Sequence, residues 1–310
     1  MTDPTNPTNP ATAAERDLLA EIVAARAEIA RLNSELDDLQ MLYQGTIEHG
    51  EAVEDQLAES NILLQQTQRR LNEELAEAEK YIMGILPARR VEVPGTDWHF
   101  VPSTELGGDS FGYHEVDADR LAIYLLDVCG HGVGAALLSV TVINVLRSAA
   151  LTNTDFCDPA AVLAALNETF PMERQNDMYF TIWYGVYQHS SRLLHYASGG
   201  HPPAILLRTA EDGIRQAREL ATPGMAIGVM PNVHYPSAVT ELASGDCLLV
   251  LSDGVYEIEK APGVPLEFNE FLEFVTAPDG DHPERIFNWV KSLAGTAALP
   301  DDFTLLRLRF

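Results

Sequence analysis

Carboxylates recur beside short turns that border apolar segments in the later part of the chain. In order, Asp109 precedes SFGYH, Asp127 ends the run LAIYLLD, Asp253 follows CLLVL, and Asp301-Asp302 directly precede FTLLRLRF. One such aspartate is usually a turn residue that bonds the backbone. Several that flank strands of one domain can converge, and carboxylates, carbonyls and water are the ligands that Mg²⁺ and Mn²⁺ prefer. The pattern therefore favours a site for two such ions, with waters completing their coordination.

The stretch Leu121 to Ser139 indicates a strand, an acidic turn and a buried helix. Glycines after Asp127 allow the backbone to approach whatever that carboxylate binds. An alternative interpretation is a degenerate G-x-G-x-x-A dinucleotide motif formed by Gly130, Gly132 and Ala135. That motif needs a second strand with an acidic end about 20 residues later, whereas residues 140–150 suggest continuing helix. The metal interpretation is favoured.

Strands and helices alternate from Val91 onward. Apolar or alternating runs predict strands at 98–103, 121–127, 179–188, 193–198, 204–208, 247–251 and 303–310. Helices are expected at about 132–150, 158–170 and 282–294. This order indicates an α+β or layered α/β/α domain, in which the last strand makes the C-terminus structural.

The first part of the chain has a different composition. Residues 1–14 are rich in Pro, Thr and Asn and are expected to be disordered. Residues 15–86 carry a seven-residue apolar repeat that predicts a coiled-coil helix, which Pro87 must end or kink. The sequence indicates three segments: a disordered 1–14, a dimerisation or signalling helix at 15–86, and a catalytic domain at 87–310.

The seam of that helix is imperfect. Its a positions run from Ile22 to Ile85 and include Gly50, and its d positions include Thr46, Ser60, Thr67 and Glu74. An inert stalk and a signalling helix both predict a homodimer, because the apolar stripe needs a partner helix. A hairpin folded back near Gly50 is the alternative.

The net charge limits the classes of binding partner, and the cysteine content bears on the cellular compartment. With 20 Lys+Arg against 46 Asp+Glu, the formal charge of −26 argues against binding nucleic acid or an anionic membrane. Cys129, Cys157 and Cys247 are widely spaced and odd in number, which indicates neither a disulfide framework nor a zinc cluster. No signal peptide or long apolar run is seen, so a cytoplasmic protein is expected.

The ordered motifs resemble a known family. LGGDSFGYH and LAIYLLDVCGHGVGAALLS, followed by MYFTIWYGVY, YASGGHPPAILL, TPGMAIGV, LLVLSDGVYE and DDFTLLRL, are similar to the PPM-type metal-dependent serine/threonine phosphatases of the bacterial SpoIIE/RsbU branch. The resemblance covers roughly residues 80–310. It implies an α+β fold, a layered αββα phosphatase sandwich, here preceded by the long N-terminal coiled-coil helix.

The resemblance also implies a ligand set for two or more Mn²⁺ or Mg²⁺ ions. Asp127 would bridge two ions and the carbonyl of Val128 would help to hold one of them. Asp253 and Asp301 would bind the other, so Asp127, Asp253 and Asp301 would be the catalytic residues. Asp109 would add a ligand near the second or a third, looser position, and Asp302 would lie beside Asp301. Which of Asp301 and Asp302 is the direct metal ligand stays open.

The implied reaction is hydrolysis of phosphoserine or phosphothreonine by direct attack of a metal-bound water, without a phosphoenzyme. The implied substrate is a phosphorylated regulatory protein of the anti-sigma-factor antagonist type, with regulation through the coiled coil and an upstream activator on it. The alternative is a catalytically silent scaffold that binds a phosphorylated partner. A third interpretation is a general small-molecule phosphatase.

Three further residues lie in or near the predicted turns. His131 could orient the substrate or protonate the leaving group, or it could cap the following helix, which is favoured. His201 is expected to fix a turn between strands. Cys129 is expected to be a small packed residue, with a redox switch as the alternative. The arginine that eukaryotic relatives use to grip phosphate has no obvious equivalent before Gly107.

Overall fold

The computed structural model describes residues 10–103, 106–295 and 299–310, with side chains from residue 14 onward. By its internal contacts the chain divides into two units, Met1–Asn72 and Glu73–Phe310. Of the segment 1–14 that was expected to be disordered, residues 1–9 lie outside the described part of the chain. The first helix begins at Pro10. Proline suits a first helical turn because its missing N–H would have no partner there.

The N-terminal helix α1 spans Pro10–Ile85 and contains 76 residues. It is continuous through Gly50, so the alternative of a hairpin at that glycine is wrong. It ends two residues before Pro87, whose ring disfavours helical geometry in the residue before it. The side chains of its apolar repeat are exposed, including Ile29, Leu32, Leu36, Leu39, Tyr43, Val53, Leu57 and Leu64. The long helix is present, whereas its pairing with a second helix stays a prediction.

The remaining elements form the second unit. The strands are β1 (Gly95–Val101), β2 (Ser110–Glu115), β3 (Arg120–Val128), β4 (Phe180–Gln188), β5 (Leu193–Gly199), β6 (Ala204–Thr209), β7 (Arg215–Leu220), β8 (Ala238–Glu241), β9 (Cys247–Leu251), β10 (Glu259–Ala261), β11 (Val264–Pro265) and β12 (Phe303–Arg309). The helices are α2 (Val133–Arg147), α3 (Pro159–Thr169), α4 (Phe268–Thr276) and α5 (Pro283–Ala294). Among the described residues, no helix combines the length and the apolar character needed to cross a bilayer.

The strands build two five-stranded sheets and one short ribbon. The first sheet has the order β1-β12-β9-β6-β7 and the second has the order β2-β3-β4-β5-β8, while β10 pairs with β11. Within these sheets the paired strands are antiparallel. The C-terminal strand β12 lies inside the first sheet, between β1 and β9, so the end of the chain is structural as expected.

Three apolar clusters separate four layers. One lies between the two sheets and contains Leu125 and Leu306. A second contains Leu126 with residues of α2 and α3, and a third contains Leu305 with residues of α4 and α5. Consecutive strand residues point to opposite faces, so Leu125 and Leu126 enter different clusters. The predicted αββα sandwich is therefore confirmed.

Some elements were not predicted. Helix α4 contains three phenylalanines in nine residues and begins with a reciprocal capping box between Glu267 and Glu270. Strand β7, RQAREL, has mostly exposed or half-buried side chains, because it lies at the edge of the first sheet. A short helix and a polar edge strand both lack the long periodic pattern on which prediction from sequence depends.

Candidate metal centre

Strand β3 carries Asp127 to the end of the interface between the sheets. Leu121, Ile123 and Leu125 face that interface. Since alternate residues share a face, the side chain of Asp127 continues the same row where the apolar core ends. Thr181 on β4 is the residue directly opposite Asp127. Side chains of opposed residues lie beside each other on one face of a sheet, so the side chains of Thr181 and Asp127 are neighbours at the cavity.

The first sheet contributes two more carboxylates at the same end of the sandwich. Asp253 begins a 3₁₀ turn, Asp253–Val255, shortly after β9, and Asp301 precedes β12. The Ser252 hydroxyl ties these segments together, because it donates to the Asp302 carbonyl (3.2 Å) and accepts from the Thr304 N–H (3.2 Å). Neighbouring antiparallel strands thus hold Asp253 and Asp301 in a fixed relation.

These segments enclose one cavity of about 490 Å³. Its lining consists of Ser103, Asp127, Val128, Cys129, Gly130, His131, Tyr179, Thr181, Asp253, Pro300 and Asp301. The three aspartates expected to be catalytic therefore share one cavity, together with Val128. No lysine or arginine is among the described residues that line it.

Two glycines allow the backbone segments to approach this closely. A Cβ on Gly108 would lie 2.6 Å from the carbonyl oxygen of Val128, and a Cβ on Gly254 would lie 2.2 Å from that of Asp302. Contacts this short do not occur for real Cβ atoms, so any side chain at these positions must displace a segment that carries an aspartate. The glycines of the predicted turns are thus required by packing.

Asp302 and Asp109 lie behind the cavity wall. Asp302 is buried, and its carboxylate accepts from the Ser103 backbone N–H (2.7 Å) and hydroxyl (3.0 Å) and from the Asp109 N–H (3.3 Å). Asp109 is also buried and accepts from the Thr304 hydroxyl at 2.5 Å. Asp301 is exposed and lines the cavity, whereas the next residue, Asp302, is buried and turned inward.

The electrostatics of this centre are dominated by uncompensated negative charge. Burial and then the charges of Asp253 and Asp301 raise the pKa of Asp127 to about 7. Burial and then the charge of Asp301 raise the pKa of Asp253 to about 6. Burial, followed by the charge of Asp127, holds the pKa of Asp109 well above its usual range. Among the described residues no cationic side chain lowers the pKa of these carboxyl groups, and a bound cation would supply the missing charge.

The donor set fits hydrated divalent ions. Within the described ranges, no three His, Cys, Asp or Glu side chains converge closely enough to hold one ion between them. Mg²⁺ keeps several waters and is usually bound through only one or two carboxylates, and Mn²⁺ favours the same oxygen ligands. Three carboxylates and a backbone carbonyl around a wide cavity suit ions held partly through water.

The remaining residues of the predicted turn have defined positions. His131 is exposed on the cavity wall. The residue that caps α2 is Gly132, without any side-chain cap bond, so the interpretation of His131 as the cap is wrong. The Cys129 sulfur accepts from the Tyr179 N–H at 3.2 Å, and the Cys129 N–H donates to the Tyr179 carbonyl at 3.0 Å. These two bonds fix the turn after β3 to the start of β4.

The dinucleotide interpretation is wrong for a topological reason. After the glycine-rich turn, α2 continues to Arg147 and α3 follows, and the next strand, β4, begins only at Phe180. The second strand that a dinucleotide site requires about 20 residues later is therefore absent from this fully described stretch.

Several functional candidates were missed in the sequence. Thr181 and Ser103 line the cavity, and His201 bonds Thr181 through its ring. Threonine and serine carry no distinguishing local pattern. The contact between Thr181 and His201 joins residues 20 positions apart and depends on how β4 and the turn after β5 pack. The local signal at His201 was the sequence GGHPP, residues 199–203, which predicted only a turn between strands.

Comparison with known sequences identifies relatives. The family model of Stage II sporulation protein E (SpoIIE) matches residues 117–310. Phosphoserine phosphatase RsbU of Bacillus subtilis (strain 168) is 28% identical over 213 residues, which cover 67% of this chain and 61% of that protein. Phosphoserine phosphatase RsbP of the same organism is 27% identical over 165 residues, 52% of this chain and 39% of that protein. The chain thus spans less than two thirds of either relative.

Comparison with solved structures agrees on the fold. The SiaA-PP2C domain of Pseudomonas aeruginosa superposes with a TM-score of 0.66 at 22% identity, over 79% of this chain and 98% of that domain. At this identity the similarity shows a shared PP2C-type fold. The SpoIIE model alone covers more than half of the chain, and the motifs that suggested this family lie in order on the strands and turns described above. The chain belongs to the SpoIIE family and has the PP2C-type sandwich.

Proposed function

We propose that this chain is a metal-dependent protein serine/threonine phosphatase. The observation that carries the proposal is that Asp127, Asp253 and Asp301, from three separate segments, line one cavity without a lysine or arginine among its described lining residues. Membership of the SpoIIE family and the phosphoserine phosphatases among its relatives support the same chemistry. A silent scaffold would have no need to hold these carboxylates, two of them half-buried, around one cavity against their mutual repulsion.

Two or more Mn²⁺ or Mg²⁺ ions bound here would offset the charge of a phosphomonoester and make a water molecule acidic enough to attack it. In our proposal the ions would be held by Asp127 and the Val128 carbonyl at the end of β3, and by Asp253 and Asp301 beside β9 and β12. The hydrogen bonds from Ser103 hold Asp302 as a support behind Asp301. A ligand role for Asp109 at a looser position stays a prediction.

We further propose that the substrate is a phosphoserine or phosphothreonine of a regulatory protein, of the anti-sigma-factor antagonist type. The cavity is open enough for a side chain that projects from a folded partner, and its described lining is polar around the aspartates. The names of RsbU and RsbP as phosphoserine phosphatases support the phosphoserine class.

The long helix supports a proposal about assembly and regulation. Exposed apolar side chains at seven-residue spacing on α1 fit a second copy of the same helix, so we propose a homodimer with a coiled coil. At the d positions Thr46 and Thr67, the hydroxyls bond the helix's own carbonyls of Leu42 and Leu63 at 2.8 Å, which leaves weak points in the seam. We propose that an upstream activator acts there. The three free cysteines fit a reducing, cytoplasmic setting.

The substrate class is tested by comparing phosphate release from three sources with Mn²⁺ present. These are a phosphoserine-bearing anti-sigma-factor antagonist domain, free phosphoserine and a sugar phosphate. The proposal expects the phosphoprotein to be hydrolysed with the highest kcat/KM, and Asp127→Asn to lose this activity. Equal kcat/KM values for all three would favour a general small-molecule phosphatase. Binding of the phosphoprotein without turnover, in the presence of metal, would favour the scaffold.

A further inference from the structure

A buried histidine contacts the wall of the cavity from behind. His201 Nδ1 lies 2.8 Å from the Thr181 hydroxyl, and Thr181 lines the cavity beside Asp127. The His201 ring is in the protein interior, with its residue only 6% exposed. The effect of this contact on the cavity depends on which of the two groups, the ring or the hydroxyl, donates the hydrogen bond.

The backbone holds His201 in place independently of its ring. The Ser198 hydroxyl accepts from the His201 N–H (3.2 Å) and donates to the His201 carbonyl (2.9 Å). Gly200 has a φ of +72°, and a Cβ there would lie 2.8 Å from the Ala226 nitrogen. The turn is thus rigid, and the ring has little freedom to choose another partner.

The surroundings of the second ring nitrogen determine the tautomer. His201 Nε2 is buried and has no hydrogen-bond partner of good geometry among the described residues, and the backbone carbonyl of Leu251 favours a proton on the ring. Nδ1 faces the Thr181 hydroxyl, which leaves Nε2 as the ring nitrogen for the Leu251 carbonyl. A carbonyl oxygen attracts an N–H and repels a lone pair, so the ring hydrogen is assigned to Nε2. Burial lowers the pKa of His201 to about 3, which keeps the ring neutral near pH 7.

With the hydrogen on Nε2, the Nδ1 lone pair accepts the Thr181 hydroxyl proton. The Thr181 hydroxyl can then only accept hydrogen bonds from groups in the cavity, through the lone pairs of its oxygen. A hydrogen-bond acceptor beside Asp127 suits a water molecule and repels the oxygens of a phosphate. The hydroxyl transfers no proton in this arrangement and only orients its neighbour.

We propose that His201 is a positioning residue which holds the Thr181 hydroxyl as an acceptor for the attacking water in the cavity. This inference rests on the proposed phosphatase function and adds two residues to it. His201 acts only through Thr181, so the effects of removing the two groups should not add.

The tautomer is tested first, by long-range ¹H–¹⁵N correlation spectra of the histidine side chains in the full chain, with His201→Phe to assign the signals. The inference expects a neutral His201 with the hydrogen on Nε2 from pH 6 to pH 8. A ring with the hydrogen on Nδ1 would make Thr181 a donor to the cavity and would overturn the inference. This readout needs no activity, so it separates failure of the inference from failure of the proposed function.

The role is tested by a double-mutant cycle with Mn²⁺-dependent phosphate release. Thr181→Val should lower kcat about tenfold, as expected for loss of one hydrogen bond, with KM nearly unchanged. Thr181→Ser should retain most of kcat, and Thr181→Val/His201→Phe should be no slower than Thr181→Val alone. Thr240→Val, at the edge strand β8 of the same sheet, is the matched control and should keep wild-type kcat.

Three results of the cycle would overturn the inference. They are a wild-type kcat in Thr181→Val, a tenfold further loss in the double variant, and a rise in KM with kcat unchanged. If His201→Phe does not fold by circular dichroism, the Thr181 variants and the tautomer of the wild-type ring decide the question. An inactive wild type would contradict the proposed function, and with it the role of Thr181.

Discussion

Gly108 lies against the carbonyl of Val128, so that a Cβ on the glycine would be only 2.6 Å from the Val128 oxygen and 3.2 Å from the Gly130 oxygen. The first contact is between two segments that both carry an aspartate, Asp109 and Asp127. Packing at a glycine therefore fixes the distance between the two parts of the centre.

Gly108→Ala should lower metal-dependent phosphate release at least about tenfold, because overpacking of about 1–3 kcal/mol must be relieved by moving the Asp127 turn. Gly95→Ala is the matched control, since among the described residues the nearest neighbour of its Cβ would be the Arg90 carbonyl oxygen, at an ordinary contact distance of 3.7 Å. Rates and thermal melts of both variants check the prediction. Equal activity of Gly108→Ala and Gly95→Ala would show that the close approach is unimportant.

Divalent metal should stabilise the folded protein. Asp127 and Asp253 are half-buried near other carboxylates. Mn²⁺ at about 100 times its Kd should therefore add about 3 kcal/mol to the free energy of unfolding and raise Tm by several degrees. EDTA should reverse the rise. In Asp127→Asn the shift should be largely lost, whereas Glu219→Gln, which removes an exposed charge on the edge strand β7, should keep it. A shift of the same size in Asp127→Asn would argue against Asp127 as a ligand.

Asp281 should set the acid stability of the first sheet. It is buried and pairs with Arg307 (2.6 Å), Arg215 (3.0 Å) and Arg309 (3.3 Å). Burial alone would raise the pKa of Asp281, but the hydrogen bond from Arg215 and the charge of Arg307 outweigh it and lower the pKa to about 2. This stabilisation is fully present above about pH 4 and is lost as the pH falls toward 2.

Asp281→Asn should therefore cost about 3 kcal/mol at pH 7, because it leaves the buried guanidinium of Arg307 without a counter-charge. The difference from wild type in urea unfolding should shrink between pH 4 and pH 2. Asp279→Asn, on the same loop but exposed, should have little effect at either pH. A loss that stays constant down to pH 2 would mean that packing, and not charge, accounts for the cost.

The seam of α1 should control dimerisation. Leu32→Glu/Leu39→Glu places like charges at two d positions and should convert the dimer to a monomer in sedimentation equilibrium. Met41 is 72% exposed and lies on the opposite side of the heptad, so Met41→Glu is the matched control and should leave the dimer intact. A monomeric wild type, or a dimer that survives the double change, would contradict the proposed coiled coil.

The strand ends and the aspartates beside them could be predicted from the sequence for a physical reason. The run from Leu121 to Leu126 is fully buried on both faces of a central strand, so it had to be apolar, and Asp127 marks the point where burial ends. The same argument places Asp253 after β9 and Asp301 before β12. Adjacent aspartates such as Asp301 and Asp302 could not be separated, because which one faces inward depends on the register of β12.

Contacts between segments that are distant in the sequence could not be predicted from it. The pairing of Thr181 with His201 and the enclosure of Asp302 by Ser103 depend on packing between strands and turns that no local pattern encodes. The polar edge strand β7 was missed because it gains its order from pairing with β6 and not from a buried face.

The most direct test of the account is hydrolysis of p-nitrophenyl phosphate by wild type and by Asp253→Ala, with Mn²⁺ and with EDTA, at folding matched by circular dichroism. The account predicts turnover by the wild type only with Mn²⁺, and a loss of at least about a hundredfold in kcat for Asp253→Ala, in keeping with the several kcal/mol that a metal centre contributes. Turnover that persists in EDTA, or that Asp253→Ala retains in full, would contradict a metal-dependent phosphatase centre at this cavity.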